Sequence, residues 1–174
     1  MRPWHKWLVT PTVLLSGGVV HAETYLSVAE AQSAMFPGEK LSPAPVTLSA
    51  EQAREIEKLS GVRVRVRQVR AWRSEHGGWF FVDEVLGKHE FITWSLGLNA
   101  DGSVRQIEIL EYRETYGSEI RNAHWRAQFV GKRPGAQLQL DKDIKNIAGA
   151  TLSCRHITDG VKRLLATYAY ALAR

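Results

Sequence analysis

The run Asn146-Ile147-Ala148-Gly149-Ala150-Thr151-Leu152-Ser153 brings small residues and hydroxyls together just before a helical pattern begins. Small side chains let another molecule approach the backbone closely. A helix start offers N–H groups without intrahelical partners and the positive end of the helix dipole, and both suit a phosphate. Thr151 is thereby a candidate to hold a phosphorylated group, or to be bonded to one. The ordinary alternative is a small-residue turn in which Thr151 or Ser153 caps the helix. Arg155 or His156 can add positive charge nearby, and the helical periodicity does not choose between them.

Little else in the chain suggests catalysis. There is no evident acid–base pair or activated nucleophile. Cys154 is the single cysteine, so an internal disulfide is excluded, and its position reads as a small buried helix residue. No cysteine cluster is available for haem attachment, iron–sulfur or zinc. His76, His89, His124 and His156 are scattered, without metal-ligand spacing.

The first 22 residues have the form of a secretory signal peptide. Arg2, His5 and Lys6 precede an apolar run from Trp7 to Val20, and Val20-His21-Ala22 reads as a cleavage site. The expectation is an exported protein on the extracytoplasmic side of the membrane. Cleavage would reduce 23 basic residues to 21 against 18 acidic ones. Nucleic acid is therefore not an expected partner.

The elements that must position Thr151 can be read from periodicity. A helix is expected from Ser27 to Phe36, stopped by Pro37-Gly38, and a short strand at Val46–Leu48. Ser49 and Gln52 form a capping box for a helix with Ala53, Ile56 and Leu59, ending near Gly61. Val62, Val64 and Val66 alternate with Arg63, Arg65 and Arg67, which predicts a half-buried strand with a solvated or anion-docking basic face. Strands at Trp79–Val85, Phe91–Leu98 and through Val104, Ile107 and Ile109 are separated by turns at Gly87-Lys88 and Ala100-Asp101-Gly102. A helix from Ser118 through Ile120, Trp125 and Phe129 is closed by Gly131, and Leu138 and Leu140 suggest a brief strand. The last helix, about Ser153 to Ala173, carries the stripe Ile157, Val161, Leu164, Leu165, Tyr168 and Leu172. Strands and helices segregate, so the expected fold is α+β. It has an antiparallel sheet of about four or more strands, packed with helices and closed by a C-terminal amphipathic helix. The expected organisation is a leader at 1–22 and a single domain at 23–174, with a helical part at 23–61 and a core at 62–174.

Several motifs together resemble the FMN-binding domain family, which includes the extracytoplasmic flavin subunits of the Rnf and sodium-pumping NADH:quinone oxidoreductase complexes. That family's attachment motif is roughly Asp-x-x-Ser/Thr-Gly-Ala-Thr. Gly149, Ala150 and Thr151 match it, while Lys145 and Ala148 stand at the Asp and Ser/Thr positions. Gly97 to Val104 with Ile107 to Leu110 resembles the family's central hairpin. Glu114-Thr115-Tyr116-Gly117, with Ile120, Trp125, Phe129, Gly131 and Lys132, is similar to its Glu-Thr-Pro-Gly region, with Tyr116 for Pro. The likeness runs from about Trp79 to Leu165.

The resemblance implies FMN bonded through its phosphate to Thr151, with Gly149, Ala150, Leu152 and Ser153 around the phosphate. Glu114 and Thr115 become candidate hydrogen-bonding partners of the flavin. Tyr116 and Trp125 become candidate walls for its ring, and Leu110 and Phe129 further ones. It also implies an electron-transfer component in place of a stand-alone enzyme, a flavin transferase as modifying partner and a membrane-bound redox partner. A binding or assembly module of the same fold without covalent flavin is the alternative.

Overall fold

The computed structural model describes residues 23–173, so the expected signal peptide at 1–22 lies outside the described residues. The elements in chain order are β1 (Glu23–Thr24), α1 (Val28–Met35), β2 (Leu41–Pro43), β3 (Val46–Thr47) and α2 (Ala50–Ser60). After them come β4 (Gln68–Ser74), β5 (Trp79–Leu86), β6 (Phe91–Leu98), β7 (Val104–Tyr112), a 3-10 turn (Ser118–Arg121), α3 (Ala123–Ala127) and α4 (Thr151–Thr167). The fold is α+β. Its antiparallel sheet has the order β1-β7-β6-β5-β4-β2, with β3 also pairing β4.

Both faces of the sheet are covered. Along β5, Trp79 and Phe81 belong to the core under α4, whereas Phe80 and Val82 pack on the α1 side with Ala31, Met35 and Phe36. This alternation reflects the two-residue repeat of a strand. On α4, Ile157, Val161, Leu164 and Leu165 are each no more than 1% exposed. Burial of such side chains stabilises by about 1.5–3 kcal/mol each. Gly160 is where α4 meets the sheet most closely, since a Cβ there would sit 2.6 Å from the Trp94 ring.

Two irregularities in the β6–β7 pairing decide which side chains reach α4. One lies between Gly97 and Leu98, the other between Thr93 and Trp94. An extra residue on one strand reverses the facing of the residues beyond it. Val104, Ile107, Ile109 and Tyr112 consequently all join the α4-side core, although simple alternation would not put them together. Leu110, the extra residue at the second bulge, turns to the α1 side.

The capping boxes are formed as their sequences dictate, at Ser27–Glu30 for α1 and Ser49–Gln52 for α2, and Gly61 ends α2 at φ 68°. Four expectations need correction. Residues 62–66 are not a strand, because β3 pairs β4 only from Gln68 onward and the N–H of Val64 bonds the Glu57 carboxylate instead. Leu59 faces outward, 59% exposed. The stretch from Ser118 is not one helix, because it breaks at Asn122, whose side chain caps α3. Leu138 adopts φ 42° and Leu140 makes only an isolated bridge to Ile144, so no strand forms there. Helix α4 begins at Thr151, two residues before the expected start, and passes into a π-helical turn at Tyr168–Leu172.

Candidate functional site

The loop before α4 is fixed from below. Trp125 of α3, 4% exposed, donates its indole N–H to the Lys145 carbonyl at 2.8 Å. The N–H of Lys145 donates to Gln128 at 2.7 Å. Both backbone groups of Lys145 are thereby held, and its side chain remains exposed. Ile147 packs on the core, and its carbonyl accepts from the N–H of Ala150 at 3.0 Å. This closes a turn with Gly149 at φ 85°, a conformation that favours glycine. Ala148 and Gly149 face solvent, so the backbone is open to a ligand on that side.

Thr151 is the first residue of α4. Its hydroxyl accepts a 3.0 Å hydrogen bond from Asn146, which also accepts from the N–H of Ile147. No side chain caps this helix. The first rung runs from the N–H of Cys154 to the Ala150 carbonyl, so the N–H groups of Thr151, Leu152 and Ser153 precede the ladder. Thr151 is half-buried, Leu152 is exposed and Ser153 is buried.

Farther along α4, the His156 ring is bonded through Nδ1 to the Leu86 carbonyl. Since a carbonyl only accepts, Nδ1 carries the proton, and His156 ties α4 to the end of β5. Arg155 is exposed. Cys154 is fully buried, and burial pushes its thiol up, away from the reactive thiolate.

A second loop lies against the first. Buried Tyr112, turned toward α4 by the bulge, donates to the Tyr116 carbonyl at 2.5 Å and lies 3.3 Å from the Ser153 hydroxyl. Burial raises the Tyr112 phenol above its ordinary value. Gly117, at φ 92°, fits where a Cβ would be 2.6 Å from the Tyr112 hydroxyl and 3.3 Å from Ala150 Cβ. Residues 113–117 are thus seated beside the Ala150–Thr151 step.

Within that loop, Glu114 accepts hydrogen bonds from the N–H groups of His89 at 2.5 Å and Glu90 at 3.0 Å, holding the β5–β6 turn. Partial burial pushes its carboxyl up, but these N–H groups prevail and leave it below the ordinary glutamate value. Thr115 is exposed, and Tyr116 is 83% exposed.

Of the sequence-derived candidates, the structure brings Gly149, Ala150, Thr151, Leu152 and Ser153 together with the loop of Glu114, Thr115 and Tyr116. Trp125 lies beneath the Lys145 end of the loop, its ring edge-on to buried Phe129 at 5.1 Å. Leu110 faces the opposite side of the sheet from α4. Asp143, the nearest alternative to the motif's Asp, is occupied. It pairs with Lys132 at 2.8 Å and accepts from the N–H groups of Leu138 and Gln139. Among the described residues, no group of three His, Cys, Asp or Glu side chains is disposed to hold a metal.

Sequence reasoning missed Tyr112, whose facing depends on the bulge and leaves no local signal. It also missed the role of Asn146, whose position in the key loop was the only clue.

Chemically, the site offers a hydroxyl with free helix-start N–H groups beside it and small residues giving access. Residues 87–166, from the β5–β6 turn to nearly the end of α4, match the family model of the FMN-binding domain. No curated protein matches the chain.

Proposed function

Because the chain belongs, over residues 87–166, to the FMN-binding domain family, we propose that it carries FMN bonded through its phosphate to Thr151 and relays electrons outside the cytoplasmic membrane. The carrying observation is the Thr151 hydroxyl at an uncapped helix start, reached across the exposed Ala148-Gly149 step. The three leading N–H groups of α4 suit a phosphate bonded to that hydroxyl. Their donors are backbone groups, so no basic side chain needs to be buried to hold the charge.

The FMN isoalloxazine ring supplies the electron chemistry when bound, and this chain supplies binding, orientation and surroundings. Attachment would join Thr151 Oγ to the FMN phosphorus of FAD, with AMP as the leaving group and the hydroxyl proton given up to the flavin transferase. Asn146 holds Oγ by donating to it, which keeps a lone pair and the proton of Thr151 available. Glu114 shapes the neighbouring rim by holding the β5–β6 turn, while Thr115 and Tyr116 are free to meet the flavin.

The leader-like residues 1–22 give a reason for a covalent tether, because an exported protein cannot refill from the cytoplasmic flavin pool. A membrane-bound redox partner is the natural companion of that location. A second reading, a flavin-free binding or assembly module of the same fold, is favoured by Lys145 and Ala148 at the motif's Asp and Ser/Thr positions.

The deciding experiment is peptide mass spectrometry of the protein made together with a flavin transferase. An FMN adduct on the Thr151 peptide is expected. An unmodified peptide under conditions that flavinylate a known substrate would support the second reading.

A further inference from the structure

The arm between α2 and β4, Gly61 to Arg67, is used by neither the sheet nor the candidate site. Arg63, Arg65 and Arg67 are exposed, and only Val64 between them is buried. None of the three takes part in the ion pairs found among the described residues. Val66, set between Arg65 and Arg67, is 66% exposed, and Leu59 on the helix feeding the arm is 59% exposed.

The arm's place in the fold is fixed by register. It enters β4 at Gln68, two residues before the Arg70–Val82 pair, so it arrives where β5 is ending. That is also where α4 begins, since His156 bonds the Leu86 carbonyl.

We propose that this arm docks the protein on an anionic lipid surface through Arg63, Arg65 and Arg67, with Val66 entering the interface between them. Three exposed cations within five residues suit a field of many equivalent anions better than one shaped ligand. Exposed aliphatic carbons between guanidinium groups are the chemistry of a shallow interfacial contact. The docking would hold the α4 start near the bilayer. It does not depend on flavin.

The test is co-sedimentation of the full chain with vesicles of phosphatidylcholine mixed with phosphatidylglycerol, and with phosphatidylcholine alone. Each near-surface arginine strengthens such binding about fivefold, so Arg63→Gln/Arg67→Gln is expected to weaken it roughly twenty-five-fold. Lys40→Gln/Lys142→Gln, which removes the same charge elsewhere, is expected to change it far less. Binding should also collapse between about 0.1 M and 1 M salt, as the screening length falls from ~10 to ~3 Å. If the double variant fails to fold, Arg65→Gln with the salt series replaces it, with an expected loss of about fivefold. Equal binding to the neutral vesicles, equal loss in the lysine variant, or no binding by the wild type would overturn the proposal. The last outcome with retention of an acidic polypeptide would assign the arm to a protein partner. Flavin-free protein that binds vesicles would uphold this inference while the flavin reading fails.

Discussion

The face of the sheet under α4 and the loops at its end are held by different forces. Under α4, Trp94, Leu96, Ile107, Ile157 and Val161 are all fully buried, and the contact is made mainly by apolar side chains. At the loop end, buried or half-buried polar side chains hold the backbone of neighbouring segments: Trp125 that of Lys145, Asp143 that of Leu138 and Gln139, Glu114 that of His89 and Glu90, Tyr112 that of Tyr116. Apolar packing resists change because every lost contact leaves a void. Directional bonds instead hold a loop in one shape while its outer face stays open to a ligand. The stable half thus makes the helix, and the polar half decides what can reach the helix start.

Substitutions can separate these roles. The largest loss is expected from Trp94→Ala, which removes the ring packed against Gly160 and should cost about 3–5 kcal/mol in denaturant unfolding. Flavin loading per folded molecule should be unchanged. A cost below about 1 kcal/mol would break the division, because the apolar face would then not be the main source of stability.

Gly117→Ala should cost about 2 kcal/mol, from positive φ together with the encounter with Tyr112 and Ala150. Unlike the core change, it should also lower loading, measured as flavin absorbance per folded protein.

Asp143→Asn should cost about 1–2 kcal/mol at neutral pH. Burial pushes the Asp143 carboxyl up, but Lys132 and the N–H groups of Gln139 and Leu138 draw it below its ordinary value. Its folded value is lower than its unfolded one, so its contribution is complete above about pH 4 and is lost as pH falls below that. The stability gap between wild type and Asp143→Asn should therefore shrink on acidification. A gap that is constant down to strongly acidic pH would mean the carboxylate charge is not what holds the loop.

Tyr112→Phe should have the smallest effect on stability, about 1 kcal/mol, since it removes one hydroxyl from a buried pair. Backbone amide exchange should quicken at Tyr116 and Gly117 and not in β5, which would sharpen the boundary between the two regions.

The same division explains what the sequence makes legible. Local rules work where a few adjacent residues decide the outcome. Ser49 and Gln52 cap α2 as expected, and the turns at Gly87 and Asp101–Gly102 join the strands they separate. The apolar stripe of α4 is equally plain, because packing on one apolar face imposes a simple repeat.

Patterns fail where partners are distant. The Arg–Val alternation at 62–67 has the period of a strand but no neighbouring strand to complete a ladder until Gln68. The break at Asn122 depends on one side chain choosing the cap of α3 over helix continuation. Thr151 and its small-residue loop are legible as a site because they are contiguous. Tyr112, Gly117 and Asn146 gain their roles from a bulge, a close approach and one cross-loop hydrogen bond.

The central claim is that Thr151 bears the cofactor. The direct test is in-gel flavin fluorescence of wild type, Thr151→Ser and Thr151→Ala, each made with the same flavin transferase and run fully denatured. The account predicts a fluorescent band for wild type, retained at least in part by Thr151→Ser, and none for Thr151→Ala. Equal fluorescence from Thr151→Ala would contradict it.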